Sequence, residues 1–303
     1  MRIRAIFNRD GGTFKTADMT QVADLATDVF SARGHEFECL VVSGSEILPA
    51  LAAAVRDTDA LIAGGGDGTI SAAAGVAWKA GLPLGVVPAG TMNLFARSLR
   101  IPLDLGAALE TLAASPIRAV DIASVNGRPF VHQFSAGLHA RMVRMREAKS
   151  YASRLGKIRA SVRAALGVML KPPRFEVVFD LDHDGRNERR IVSAISISNN
   201  PFGERPLFFA DELTGGKLGV YLADALEPWG VAKLAFDIAR GRMKENAAVT
   251  AATAETIRLH FPRHPRGAHC VVDGELVRMP DRLEVRIHPG ELQVLAPPAL
   301  PDT

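Results

Sequence analysis

Four glycines and one acid crowd into Gly64-Gly65-Gly66-Asp67-Gly68-Thr69, directly after the apolar run at 60–63. Residues without side chains let a backbone approach a ligand closely. A helix that starts at such a turn aims free N–H groups and its positive dipole end at the same point. Phosphate is the expected guest. A Walker A loop would need Gly-Lys followed by Ser or Thr, yet Gly156-Lys157 and Gly216-Lys217 are followed by Ile158 and Leu218. A dinucleotide fingerprint fails too. Counted from Gly66 and Gly68, Ser71 stands where the third glycine belongs, and no acid lies between Thr69 and Leu103 to bind a ribose hydroxyl.

Asp67 is the informative residue, because a bare carboxylate among phosphate-binding amides would repel the guest. Its presence makes sense if Mg²⁺ stands between Asp67 and the phosphates, or if Asp67 takes a proton from an acceptor. An aspartate that caps the following helix would fit the same spacing.

The elements around the turn alternate. Residues 2–8 read as a strand, and Val22, Leu25, Ala26, Val29 and Phe30 recur at helical spacing. Residues 36–42 read as a strand, 47–56 as a helix, and 60–63 and 84–87 as strands that end in 64–69 and in Pro88-Ala89-Gly90-Thr91. This is the βαβ pattern of a parallel, Rossmann-like sheet, which binds ligands at the carboxyl ends of its strands. From about residue 121 the pattern turns antiparallel. Residues 121–125 and 128–134 flank Asn126-Gly127, a type I′ turn signal. A second hairpin is expected at 176–182 and 190–198, further strands at 255–261, 269–277 and 282–288, and helices near 141–170 and 229–240. The expected organisation is an α/β nucleotide-binding domain over 1–120, rejoined by about 290–300, and a mostly antiparallel, sandwich-like domain over 121–289. The length of 303 residues favours two cores over one.

Only Cys39 and Cys270 are present, which excludes a disulfide framework and a thiolate zinc site. No apolar run reaches the ~18 residues needed to span a bilayer, and residues 1–8 lack signal-peptide character. A cytoplasmic protein, with at most peripheral contact at the inner membrane face, is expected. The net charge of +3 hides a polarised stretch: ten Lys and Arg residues from Arg141 to Arg174 face Glu147 alone. Apolar residues recur through it at helical spacing. Arg154, Lys157, Arg159 and Arg163 are therefore candidates for contact with an anionic membrane surface. Nucleic acid is not expected, since Tyr151 is the one aromatic there to stack a base. Asp180-x-Asp182-x-Asp184-Gly185 opens like a calcium loop, but Ile191 replaces the bidentate glutamate, so it reads as a polar hairpin tip.

Gly65-Gly66-Asp67-Gly68-Thr69, followed by Pro88-Ala89-Gly90-Thr91-Met92-Asn93-Leu94-Phe95-Ala96-Arg97, resembles the diacylglycerol kinase catalytic-domain family, which includes bacterial diacylglycerol and sphingosine-kinase-like lipid kinases. The likeness extends to Asn8-Arg9-Asp10-Gly11-Gly12, Asp121, Ser135-Ala136-Gly137, Ser198-Asn199 and Asp273-Gly274-Glu275. The resemblance implies an ATP site formed by Asn8, Arg9, Asp10, Gly11, Gly12, by Gly64 to Thr69, and by Gly90, Thr91 and Asn93. It implies Glu275 as general base, Asp67 as organiser of the catalytic Mg²⁺, and Asp121 as an orienting acid. It further implies a lipid pocket in the β-rich domain and a last strand, near 292–296, that returns to the first. Two departures stand out: Gly215-Gly216 where relatives carry Asp-Gly beside a structural Mg²⁺, with Asp211 and Glu212 nearby, and His139 where they often carry Asp. The expected activity is transfer of the γ-phosphoryl of Mg-ATP to a lipid hydroxyl. NAD kinase, which shares the Gly-Gly-Asp-Gly turn, is the alternative enzyme, and a non-catalytic lipid or nucleotide sensor is the alternative from another class.

Overall fold

In the first unit, strands β1 (Arg2–Asn8), β2 (Glu36–Val42), β3 (Ala60–Gly65) and β4 (Leu84–Pro88) pair in parallel in the order β4-β3-β1-β2. The computed structural model describes residues 1–147, 170–204, 208–263 and 267–298. Every residue of β3 and β4 is buried, as expected of central parallel strands covered on both faces, whereas β2 alternates toward solvent as an edge does. Helices α1 (Met19–Ser31), α2 (Ile47–Ala54), α3 (Asp67–Ala80), α4 (Leu94–Ser98) and α5 (Leu105–Ala114) complete the unit. Asp18 caps α1 by accepting from the amides of Thr20 and Gln21. Val22, Ala26, Val29 and Phe30 form the buried stripe of α1, and Leu25, counted with them from its spacing, points to solvent. The unit comprises Met1–Ile122, Asp211–Gly215 and His288–Thr303.

The second unit, Ala123–Ala210 with Gly216–Ile287, is antiparallel among its described strands. After β5 (Ile117–Val125) come β6 (Arg128–Phe130), β7 (Gln133–Gly137), α6 (Leu138–Glu147), β8 (Phe175–Leu181), β9 (Glu188–Ser198), β10 (Leu218–Asp224), α7 (Pro228–Ala239), β11 (Val249–Ala254), β12 (Thr256–His260), β13 (His269–Val272), β14 (Glu275–Arg278) and β15 (Arg282–Leu295). The long β9 organises the unit, because it pairs with β7, β8 and β10. Phe130, Phe134, Phe179, Ile195, Ile197 and Val285 are among the side chains its core encloses. β15 contributes to both units: Arg282–Arg286 pairs antiparallel with β12, and Val294–Leu295 pairs parallel with β4. Gly290, between these two paired segments, has φ +66°, a conformation that favours glycine.

Three departures from the sequence reading have local causes. Residues 269–277, read as one strand, form the β13–β14 hairpin, because Asp273 (φ 46°) and Gly274 (φ 86°) make a two-residue turn of the type recognised at Asn126-Gly127. Residues 128–134, read as one strand, break between β6 and β7, where three amides turn to a side chain described below. β10 and β11 carry small and apolar residues without alternation, so their spacing predicts no strand. The Asp182 carboxylate at the polar hairpin tip accepts from the amides of Glu255 (2.6 Å) and Thr256 (2.9 Å). Arg154, Lys157, Arg159 and Arg163 lie outside the described residues.

Candidate active site

β3 delivers Gly64 and Gly65 to the carboxyl edge of the parallel sheet, and α3 starts two residues later with Asp67. The glycines are demanded by packing. A Cβ on Gly64 would sit 2.6 Å from the Phe7 ring, and one on Gly65 would sit 2.7 Å from Thr69. A Cβ on Gly90 would meet Gly66 Cα at 2.6 Å. Two glycine loops therefore lie backbone against backbone, with the first amides of α3 at the strand edge. The N–H groups of Asp67, Gly68 and Thr69 precede the first i→i−4 bond of α3, which Ile70 donates to Gly66.

Asp67 has a structural task that local spacing did not disclose. Its carboxylate accepts from the amides of Asn93 (3.0 Å) and Leu94 (2.6 Å), capping α4 rather than its own helix. Asn93, held in the left-handed region at φ 51°, closes the loop by accepting from the Gly90 amide (2.7 Å) and donating to the Gly90 carbonyl (2.9 Å). Thr91 stands exposed within that closed loop. Asn8 donates to Thr69 Oγ1 (2.9 Å) and accepts from the Asp10 amide (3.0 Å), while Asp10 accepts from the Gly44 amide (2.8 Å). The Gly11–Gly12 bend packs on the same loop, since a Cβ on Gly12 would meet the Ala89 carbonyl at 3.1 Å. Asn8, Gly11, Gly12, Gly64 to Thr69, Gly90 and Asn93 are thus brought together at one edge of the first unit. Arg9 and Asp10 border it on the exposed side, with Arg9 3.9 Å from Glu46.

Asp121 is almost wholly buried in β5. Its Oδ1 accepts from the Gly290 amide (2.9 Å), and its own amide donates to the Leu213 carbonyl (2.7 Å). It ties the 211–215 segment and the turn of β15 to the first unit.

In the second unit the Asp273-Gly274 turn presents Glu275 at the head of β14, 2.5 Å from Arg128. Asp273 is the anchor. Its buried carboxylate accepts from the amides of Val131 (2.8 Å), His132 (2.9 Å) and Gln133 (2.9 Å), the bend that separates β6 from β7. The Asn199 amide grips the same bend through the His132 carbonyl (2.9 Å). Sequence reasoning did not single out Arg128, and it had Asp273 only as the neighbour of Glu275. The Asp-Gly pair between β-rich runs was the available signal for the turn. In the ladder Glu275 lies opposite Val272 and Val272 opposite Phe134, whereas Ser135 lies opposite Val271. Glu275 and Ser135 therefore leave the sheet on opposite faces, both toward the end where Gln133 begins β7.

The Ser135 face opens onto a cavity of about 430 Å³ beneath α6 and α7. Met142, Phe208, Leu234 and Ile238 are among its apolar walls. Two hydrogen-bonded polar pairs mark its β7 side, Ser135 Oγ with His139 Nδ1 (2.7 Å) and Ser196 Oγ with Gln133 Oε1 (2.7 Å).

Among the described residues no three His, Cys, Asp or Glu side chains cluster as a metal cage. The donors around Asp67 fit a different arrangement, a magnesium ion that arrives on phosphates and needs one or two carboxylates from the protein. Each Asp67 oxygen accepts one described amide bond, which leaves lone-pair capacity for such an ion. No described helix is long and apolar enough to cross a membrane.

Residues 2–125 match the profile of the diacylglycerol kinase catalytic domain. A diacylglycerol kinase of Staphylococcus aureus is 35% identical over 140 residues, 45% of this chain and 44% of that protein. An uncharacterized protein of Synechocystis sp. is 29% identical over 248 residues, 78% of this chain and 54% of that one. The chain thus spans about half the length of these curated relatives. The crystal structure of a diacylglycerol kinase from Bacillus anthracis superposes with a TM-score of 0.73 at 15% identity, covering 99% of this chain and 98% of that one, a likeness of fold.

Proposed function

We propose, from the match of residues 2–125 to the diacylglycerol kinase catalytic domain, that the chain transfers the γ-phosphoryl group of ATP to the hydroxyl of a lipid. The observation that carries this reading is the pair of glycine loops, 64–68 and 90, pressed together at the start of α3 so closely that a Cβ on Gly90 would lie 2.6 Å from Gly66 Cα. Such a surface offers a polyphosphate backbone amides and a helix N-terminus while excluding side chains. Asn8, Gly11, Gly12 and the Gly90–Asn93 loop border the nucleotide, with Arg9, Asp10 and Thr91 at its exposed side.

Phosphoryl transfer asks a protein mainly for position and charge stabilisation. Asp67 positions the 90–94 loop and, in the same reading, would be the carboxylate that helps to hold the nucleotide's magnesium. That ion would supply charge neutralisation at the phosphates. Glu275 takes the acceptor's proton, and the Arg128 guanidinium 2.5 Å away holds its carboxylate at the head of β14. The acceptor's apolar part occupies the cavity next to Ser135. Its hydroxyl then rounds the Gln133 end of β7 to reach Glu275. Asp121, buried and bonded to Gly290, orients β15 rather than touching substrate.

The deciding experiment is mass spectrometry of a neutral lipid panel incubated with labelled ATP and Mg²⁺, with NAD as a parallel acceptor. A labelled lipid phosphate is expected, and its formation by Glu275→Gln should fall by about 10²–10⁴-fold. Labelled NADP with unlabelled lipid would replace this reading by the ribose kinase. Acceptor-independent ATP loss would remove the lipid. Unchanged turnover in Glu275→Gln would remove the base.

A further inference from the structure

The cavity beneath α6 and α7 constrains what the acceptor can be, an inference that rests on the lipid-kinase reading for its biological role but not for its binding test. Its volume is about 430 Å³. With a water-sized group filling about 30 Å³, that space takes roughly fourteen methylene-sized groups in all. One aliphatic chain fits; two long chains do not. Among the described residues lining it none is Asp, Glu, Lys or Arg. A protonated amine or a carboxylate drawn into it would lose its hydration with no counter-charge, a heavy penalty. The polar groups it does offer, Ser135 with His139 and Gln133 with Ser196, are hydrogen-bonded pairs gathered on the β7 side, with no carboxylate among them. We propose that the cavity seats a single uncharged aliphatic chain of about fourteen carbons, its oxygenated end against Ser135 and His139, and that any second chain of the acceptor stays outside.

The test is native mass spectrometry of 1-monoacylglycerols from C8 to C20 bound without nucleotide, alongside turnover of the same series in mixed micelles. Affinity should rise by about fourfold per methylene, the equivalent of about 0.8 kcal/mol, and level off near C14. Sphingosine should bind at least tenfold more weakly than a monoacylglycerol of matched length. Val249→Phe narrows the cavity and should move the break down by about two carbons; Ala235→Trp serves the same purpose should the first variant fail to fold by circular dichroism. A series without a break, or sphingosine binding as tightly as its neutral match, overturns the proposal. Binding with the expected break but no phosphorylation supports the cavity assignment and sinks the kinase reading. Phosphorylation indifferent to chain length does the reverse.

A separate observation concerns the outer face of α7. Trp229 is 81% exposed and Phe236 is 60% exposed, two turns apart on one face. Exposed Lys233 lies between them, and Arg240 stacks on Phe236 at 5.4 Å. The opposite face, with Val231 and Leu234, lines the cavity. Large aromatics flanked by cations match the chemistry of an anionic lipid–water interface, where indole rings settle at headgroup level and each Lys or Arg adds attraction. We infer that α7 docks on an anionic bilayer, with the chain cavity directly behind it. In a Trp78→Phe background, Trp229 fluorescence should shift to the blue with phosphatidylglycerol-containing vesicles and not with phosphatidylcholine alone. Trp229→Ala with Phe236→Ala should reduce vesicle co-sedimentation at least tenfold, and Lys233→Ala about fivefold. Unaltered sedimentation of these variants overturns the inference. So does a dimer, seen by ultracentrifugation, that the double variant dissociates.

Discussion

Replacing Asp67 by Asn separates the loop-holding task of this carboxylate from any task at the phosphates. The wild-type carboxylate accepts from two amides, Asn93 at 3.0 Å and Leu94 at 2.6 Å. An Asn side chain keeps one oxygen, so it can serve one of them, and its NH₂ then faces the other N–H donor to donor. Hydrogen bonds to a charged group contribute about 1.5–3 kcal/mol, and a helix cap about 0.5–2. Because Asp67 is half-exposed, the lower part of that range applies, and a loss of about 2 kcal/mol is expected. With a urea slope of about 2 kcal/mol/M, the midpoint should fall by about 1 M. Trp78 lies on the same helix and donates to Glu291 at 2.9 Å. The chain has two tryptophans, so a Trp229→Phe background makes fluorescence report on the first unit alone. The measurement is made without nucleotide or magnesium, and hydrogen exchange at 90–98 should quicken in parallel. A midpoint within about 0.3 M of wild type, with 90–98 as protected as before, would refute the capping argument. Turnover should drop by about 10²-fold, since a displacement near 1 Å costs about that much.

Gly90→Ala should displace either loop, since its Cβ would sit 2.6 Å from Gly66 Cα and 2.9 Å from Asn93 Oδ1. A fluorescent ATP analogue should bind it at least tenfold more weakly, and the fold should lose about 1–3 kcal/mol by urea titration. Asp273→Ala strands three backbone amides and removes the anchor of the Glu275 hairpin, for a loss of about 3 kcal/mol or more. Asp273→Asn should lose clearly less, and equal losses would show that the carboxylate does not hold the bend. Burial pushes the Cys39 thiol up to about 12 and the Cys270 thiol to about 11. Below about pH 8.5, the ordinary thiol value, both states hold these protons and stability is unaffected. As pH rises toward 11–12 the unfolded chain releases protons that the fold retains, so stability falls. Iodoacetamide at pH 8 should accordingly label both thiols at least ~100-fold more slowly in the native protein than in urea.

Much of the first unit was legible in the chain because its determinants are local. An apolar strand, a glycine turn and a helix start occupy consecutive residues, and their hydrogen bonds run along the backbone that carries them. The Asn126-Gly127 turn was legible for the same reason. The Asp273-Gly274 turn carried a comparable signal that a continuous apolar reading of 269–277 hid. Tertiary structure alone decided where the carboxylates point. Asp67 reaches amides 26 and 27 residues away, Asp273 reaches across 140 to 142, and Asp121 across 169. No periodicity or spacing encodes such pairs, because an aspartate's preference for backbone N–H groups is satisfied equally well by any amide the fold brings within reach. The cavity, too, belongs to the fold: Ser135, His139 and Leu234 come from β7, α6 and α7, and its volume and its lack of Asp, Glu, Lys and Arg among the described lining residues exist once these elements pack.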